Sequence, residues 1–165
     1  NYEKAKWFNH EWIKKFSAQD LNGKVKEILG DITNKHDDVF LNKVITMVKE
    51  RCTLLTDFVE QASFFFKSPE NIDITAIQPK WDEKKNLFFV ELMMQYQSEI
   101  IWNDIELEKV FKEIASVNQL KPGELMLPLR IMLVGGKFGP GVFEIADTIG
   151  KAETVKRIKH VLSLL

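Results

Sequence analysis

Residues 125–150 read LMLPLRIMLVGGKFGPGVFEIADTIG. The first ten of these residues are apolar except for Pro128 and Arg130, and an apolar run of this length, with no alternation, predicts a buried helix. Arg130 is therefore a cation in an apolar helix. Its guanidinium either pairs with a carboxylate or points into a cleft, and the sequence leaves both interpretations open.

The second part of this stretch predicts a stiff loop followed by another helix. Residues 135–141 hold four glycines and one proline, a composition typical of loops. Pro140 suits the first turn of the helix that follows, because its missing N–H is not needed there. Gly150 ends that helix. The stretch thus predicts two helices joined by a loop, without the strand that a nucleotide-binding glycine loop would need before it.

The rest of the chain shows the same three- and four-residue spacing of apolar residues. Ser17 and Asp20 form a capping pair for a helix that Gly30 ends, and Asp37 with Asp38 favours the start of the next. Thr53 is the expected cap of a further helix through Phe65. Longer helices are expected over three later ranges, 80–98, 104–118 and 151–165.

The segment Ile72–Ile77 alternates in polarity, is bounded by prolines, and is interpreted as an extended connector. We therefore expect two helical subdomains, residues 1–70 and residues 71–165. The predicted fold class is all-α, a cage or bundle of two packed helical subdomains.

Composition excludes several classes of protein. The 165 residues carry a formal net charge of −1, so a basic tail or a general polyanion-binding coat is excluded, and any nucleic-acid contact must come from a local patch. Cys52 is the only cysteine, which favours a reducing cytosol and excludes a disulfide framework. No apolar run approaches the roughly 20 residues of a membrane span. The chain starts without Met or a signal peptide, and we expect it to be a piece of a longer protein.

The sequence offers little catalytic chemistry. The motifs GxxxxGK[ST], GxGxxG and GxSxG are absent, and His10, His36 and His160 lack the spacing of a helical metal site. Cys52 lies beside Arg51, and a neighbouring cation favours the thiolate form of a cysteine. The other interpretation is that Cys52 is a small residue of the core. No nucleophile–base constellation supports a hydrolase. We expect no catalytic residue and no metal site.

Single-stranded RNA suits the remaining features. Arg51 ends a predicted helix, where the dipole favours a cation even without a ligand. The last helix carries a basic stripe, which consists of Lys151, Lys156, Arg157, Lys159 and His160. A solvated face is the simpler interpretation of this stripe. A glycine loop at a helix N-terminus offers unpaired amides, and unstacked bases are read by hydrogen bonds and by stacking on flat side chains.

Three ordered motifs carry a family resemblance. The runs PLRIMLVGG (128–136), GPGVFE (139–144) and IGK (149–151) resemble the closing signature of glutamyl-tRNA synthetases. KAKWFN (4–9) is similar to the element that follows the catalytic half in these enzymes, and KERCTL (49–54) fits an intervening helix. The resemblance covers nearly the whole chain and is weakest over residues 70–120.

The resemblance implies a helical cage that holds the anticodon loop. An arginine at the position of Arg51 reads the wobble base, and its presence, rather than glutamine, implies discrimination for tRNA-Glu. The other two anticodon bases are contacted at the positions matching Arg130, Gly139, Pro140 and Val142. Lys137 and Phe138 depart from the family pattern and are expected as additional RNA contacts, and Gly139 replaces a side chain that bonds a base in some relatives.

The resemblance also implies a parent enzyme, an ATP- and Mg²⁺-dependent glutamate–tRNA ligase. The HIGH and KMSKS elements are absent, so this chain is expected to be inactive alone, to need no cofactor, and to act with a covalently continuous N-terminal catalytic domain. We expect a cytoplasmic monomer whose partner is tRNA-Glu. Two alternatives are a helical protein-interaction module without RNA ligand and the anticodon domain of class I lysyl-tRNA synthetase.

Overall fold

The computed structural model describes the backbone of residues 2–165 and the side chains from Asn9 onward. In that range it has nine α-helices, six short 3-10 helices and no strand, which confirms the all-α fold class. The α-helices are α1 (Tyr2–Lys15), α2 (Ala18–Leu29), α3 (Asp38–Val48), α4 (Phe58–Ala62), α5 (Glu83–Gln97), α6 (Asp104–Val117), α7 (Pro122–Val134), α8 (Val142–Ile149) and α9 (Lys151–Leu162). The predicted packing of Trp7 and Phe8 lies outside the described side chains.

The chain divides into two compact units, Asn1–Lys67 (the first unit) and Ser68–Leu165 (the second unit). Helices α1–α4 form the first and α5–α9 the second. Among the described residues, none of these helices combines the length and the apolar character that a membrane crossing requires.

Local capping explains the helices of the first unit. Ser17 Oγ accepts from the Asp20 amide at 3.1 Å and the Asp20 carboxylate accepts from the Ser17 amide, so both halves of the predicted capping box form. Asp37 caps α3 through the Phe40 amide at 2.9 Å. Gly30 ends α2 with a φ of +70°, as expected.

The predicted helix from Thr53 to Phe65 is wrong in detail. The segment is broken into a 3-10 turn, the short α4 and a second 3-10 turn, Ser63–Phe65. Thr53 does not cap it. Instead, the Asp57 carboxylate accepts from the amides of Thr53 (2.8 Å) and Leu54 (2.9 Å), which fixes the chain in a turn before the helix begins.

The second unit is built around aromatic side chains. Phe111 lies edge-on to Phe88 with ring centroids 5.1 Å apart and to Phe143 at 5.3 Å, which links α5, α6 and α8. Tyr96 is fully buried and its hydroxyl donates to the Leu107 carbonyl at 2.8 Å. Burial therefore raises the pKa of this phenol.

The predicted extended connector is also wrong. Residues 74–80 form two 3-10 turns, Ile74–Ala76 and Gln78–Lys80, and α5 begins only after Asp82, whose side chain caps it. One backbone bond anchors the segment, because the Asp73 amide donates to the Gly135 carbonyl at 2.8 Å. The connector is therefore part of the second unit's packing, next to the loop that follows α7.

Candidate nucleic-acid interface

The loop between α7 and α8 takes its shape from two glycines in the left-handed region. Gly135 ends α7 with a φ of +89° and Gly139 has a φ of +101°, conformations that side chains with a Cβ rarely adopt. A Cβ on Gly135 would also clash with the Asn71 carbonyl oxygen. Helix α8 starts at Val142, so Pro140 precedes the helix and does not lie in its first turn as predicted.

Arg130 holds this loop from the inside. Its Nη1 donates to the carbonyl oxygens of Phe138 (2.8 Å), Gly139 (3.1 Å) and Pro140 (2.8 Å). All three acceptors are backbone carbonyl oxygens, a kind of partner that the sequence does not indicate. Bonds from a charged donor are stronger than neutral ones, so the guanidinium fixes three consecutive peptide groups in one arrangement.

The loop presents some predicted contact residues and covers others. Lys137 is exposed, and Phe138 is half-buried with its ring against Gly136. Pro140 is buried and Val142 is 5% exposed, so these two side chains shape the loop from below and offer little surface.

The start of α8 adds hydrogen-bond donors beside the loop. Gly141 is its N-cap, exposed and without a side chain to cap the first turn. The first amides of a helix have no intrahelical acceptor and carry the positive end of the dipole. This end of the second unit therefore combines one exposed cation, one aromatic ring and backbone donors.

Arg51 lies in the first unit, at the end of the 3-10 helix Lys49–Arg51. Its side chain is exposed, whereas its neighbours are engaged: Lys49 Nζ donates to the carbonyls of Lys14 (3.2 Å) and Phe16 (2.8 Å). Cys52 follows as a fully buried residue whose carbonyl bonds His10 Nδ1 at 2.8 Å. The backbone on both sides of Arg51 is thus fixed while its guanidinium reaches solvent.

Cys52 is a core residue and no reactive thiolate. Burial, with a smaller contribution from the Asp57 carboxylate, raises the pKa of the thiol to about 12. The structure thus favours the second of the two interpretations that the sequence left open.

The basic stripe on α9 is only partly a solvated face. Arg157 is 3% exposed, and its Nε bonds the Glu153 carboxylate at 2.9 Å while its Nη1 donates to the Leu133 carbonyl at 2.7 Å. Ser68 also donates to Glu153. The four-residue spacing of Glu153 and Arg157 was the available signal, but it does not distinguish a buried pair from an exposed one.

We predict that Arg130→Met loosens the loop more than it unfolds the unit. The methionine fills similar space but leaves three carbonyls without their charged donor. Hydrogen exchange followed by mass spectrometry should show at least about tenfold faster exchange in residues 136–141, since a charge-assisted bond contributes about 1.5–3 kcal/mol. Exchange in α6 should stay unchanged, and unchanged exchange in the loop would contradict the clamp.

Comparison with known proteins agrees with the resemblance carried by the motifs. The family described as "Anticodon binding domain" matches residues 3–162. The glutamate–tRNA ligases of Flavobacterium johnsoniae and Porphyromonas gingivalis are each 31% identical, over 99% and 100% of this chain but 32% of their own length. The chain thus spans about a third of these relatives.

Solved structures give the same result at the level of the fold. A glutamate tRNA ligase from Elizabethkingia meningosepticum, in complex with its amino acid, superposes with a TM-score of 0.89 at 30% identity, covering 100% of this chain and 33% of that one. The glutamate-tRNA synthetase of Elizabethkingia anophelis gives a TM-score of 0.84 at 29% identity, over 99% of this chain and 32% of that one. The chain belongs to the anticodon binding domain family.

Proposed function

We propose that this chain is the anticodon-loop recognition module of a glutamate–tRNA ligase and selects tRNA-Glu for a catalytic domain in the same polypeptide. The observation that carries the proposal is the loop that Arg130 clamps, in a chain of the anticodon binding domain family. Recognition of a single-stranded loop needs a surface that is already shaped when the bases arrive, because ordering both partners would cost affinity.

The loop offers each kind of contact that single-stranded RNA requires. Phe138 provides a ring on which a base can stack, a contact worth about 1–3 kcal/mol per base. Lys137 provides a charge for a phosphate, and the amides after Gly141 form the positive end of α8. Pro140 and Val142 act by fixing the position of this backbone, and Gly139 by letting a base approach without a side chain.

Arg51 is proposed to read the wobble base. Its guanidinium donates to the O2 and N3 acceptors of cytosine, whereas uracil presents a donor at N3. A mismatch leaves polar groups unpaired at about 1–3 kcal/mol. The exposed side chain on a fixed backbone supports this assignment, since binding has to order the side chain but not the backbone.

The parent enzyme is proposed to use ATP with Mg²⁺ in its catalytic part. Within residues 9–165, no group of three histidine, cysteine, aspartate or glutamate side chains is arranged to hold a metal ion. Activation of glutamate is proposed to take place in the N-terminal catalytic domain of a cytoplasmic, monomeric enzyme. The helical subdomains 1–70 and 71–165 are proposed to supply Arg51 and the clamped loop respectively.

Binding to an anticodon stem-loop tests the proposal directly. A fluorescein-labelled stem-loop of tRNA-Glu is titrated at fixed low salt, with a stem-loop of the same stem and a scrambled loop as control. We expect the cognate loop to bind at least about tenfold more tightly. Equal affinity for both, or binding to neither by the full-length enzyme, would instead favour a helical protein-interaction module.

A second prediction concerns Lys137. Lys137→Ala should weaken stem-loop binding about two- to fivefold and lower the slope of log affinity against log salt by about 1, since one phosphate contact is lost. Lys109→Ala removes the same charge from an exposed position on α6 and serves as the matched control. An equal loss of affinity in both variants would mean that Lys137 acts only through the overall charge of the protein and contacts no phosphate.

A further inference from the structure

The second unit contains a cavity that the proposed anticodon function does not use. It has a volume of about 720 Å³ and lies between the segment 68–72, the end of α7 and one face of α9. This volume falls within the roughly 300–1,000 Å³ of small-molecule sites. The described residues that line it include none from the clamped loop.

The floor of the cavity is apolar. Pro69 and Ile72 line it from the connector, Met132 from α7 and Val155 from α9. Met132 is fully buried and Val155 is 8% exposed, so both are held in place by the core. A floor of this kind favours a flat apolar ring and offers no partner to a fully polar ligand.

The rim is cationic. Lys156 and Lys159 line the cavity from one face of α9 beside His160, and the described residues that line it include no carboxylate. The Glu153 carboxylate bonds the Arg157 Nε at 2.9 Å and lies 3.8 Å from Lys156 Nζ. Lys159 forms no ion pair within the described part of the chain. The site therefore has an excess of positive charge and favours an anion.

Arg157 adds a buried positive charge to the wall of the cavity. It lines the cavity, its side chain is 2% exposed, and its Nη2 is buried with no hydrogen-bond acceptor among the residues described. Buried donors in folded proteins are nearly always paired, so an unpaired guanidinium nitrogen is unusual. Because Nη2 is closed off from solvent, an anion in the cavity would meet Arg157 as a positive charge behind the wall.

Two hydroxyls set the hydrogen-bonding preference of the site. Ser68 uses its hydrogen to donate to Glu153, and Ser163 uses its own to donate to the His160 carbonyl. Both serines line the cavity, and each hydroxyl whose hydrogen is already used can only accept from a ligand. An amino group on a flat ring would complement them, whereas an alkyl chain would not.

We propose that this cavity binds a nucleoside monophosphate whose base carries an amino group. The base lies on the apolar floor with its amino group toward the serine oxygens, and the phosphate lies beside Lys156, Lys159 and Arg157. Free nucleotides and a nucleotide of an RNA strand share this chemistry. The site is separate from the anticodon contacts, so its test does not depend on them.

The probe is AMP, titrated into the ¹⁵N-labelled chain while amide shifts are followed by NMR. We expect saturable shifts in α9 and at residues 69–72. Ala152→Trp places an indole at an exposed position on the cavity wall and should weaken AMP binding at least about tenfold. Lys159→Ala should weaken it about fivefold through loss of one charge-assisted contact, and Lys109→Ala should leave it unchanged.

Further probes separate the chemistry and its source. Adenosine and inorganic phosphate should each bind more weakly than AMP; octyl phosphate binding as tightly as AMP would overturn the base assignment. The proposed site would be wrong if the shifts persisted in both Ala152→Trp and Lys159→Ala. It would also be wrong if neither AMP nor a 5′-phosphorylated adenosine trinucleotide caused shifts. Tighter binding of the trinucleotide assigns the ligand to RNA, and tighter binding of AMP to a free nucleotide.

Discussion

Replacing Arg51 by glutamine is expected to abolish most of the preference for cytosine over uracil at the wobble position. The arginine donates to two acceptors of cytosine, and with uracil one of its N–H groups faces another donor. The cost of about 1–3 kcal/mol corresponds to roughly 10- to 100-fold in affinity. A glutamine carries both a donor and an acceptor and can pair with either base, so discrimination should fall to about twofold.

The measurement compares two stem-loops that differ only at the wobble base, titrated with the wild type and with Arg51→Gln at one salt concentration. Lys24→Gln, at an exposed position of α2, removes the same charge from the same unit and should keep the discrimination. Discrimination that survives Arg51→Gln would remove Arg51 from base reading while leaving RNA binding intact. A uniform loss of affinity for both stem-loops would make Arg51 a phosphate contact.

Helix termini were predictable where a side chain caps its own helix. Ser17 with Asp20, and Asp37, each form the bond that their position indicates, because the interaction spans three residues and needs no tertiary partner. The segment after Cys52 was not predictable in this way. There the Asp57 carboxylate accepts from the amides of Thr53 and Leu54, and periodicity does not show which local bond forms.

In the candidate site, too, the features that depend on local sequence were predictable and those that depend on tertiary contacts were not. The glycines and Pro140 predicted a loop of defined shape, because glycine is the residue that readily adopts a positive φ. The partners of Arg130 and the burial of Arg157 depend on which carbonyls the fold brings near, and an apolar helix with one arginine is compatible with several partners. Tertiary contacts therefore decided the roles of both arginines.

Glu153→Gln is expected to lower the free energy of unfolding by about 2–3 kcal/mol at pH 7. Arg157 is nearly fully buried, and Glu153 is its only carboxylate partner among the described residues. Glutamine keeps the shape and one acceptor oxygen for Nε, so the substitution removes the charge and leaves the packing. A buried guanidinium without its counter-charge is costly, and charge-assisted bonds are about twice as strong as neutral ones.

The pH dependence gives a second test of the same pair. Burial alone would raise the pKa of Glu153, but the hydrogen bonds from Ser68 and Arg157 and the charges of Arg157 and Lys156 outweigh it, so the pKa is lowered. A lowered pKa in the folded state means that the stabilisation is present above the unfolded value of about 4.3 and is lost as the pH falls through the folded value. The wild type should therefore approach the variant in stability at the acid end.

Urea unfolding at pH 7, 5 and 3 would measure both effects, with Glu108→Gln as the control. Glu108 forms the same four-residue pair with Lys112 at 3.3 Å, but both side chains are about half exposed. Its loss should change stability by less than about 0.5 kcal/mol at every pH. If the two glutamate variants lose the same small amount of unfolding free energy, water screens the Glu153–Arg157 pair through the exposed part of Glu153. Arg157 would then be held mainly by the Leu133 carbonyl and by packing, because the remaining bond at 2.7 Å is the only other one described.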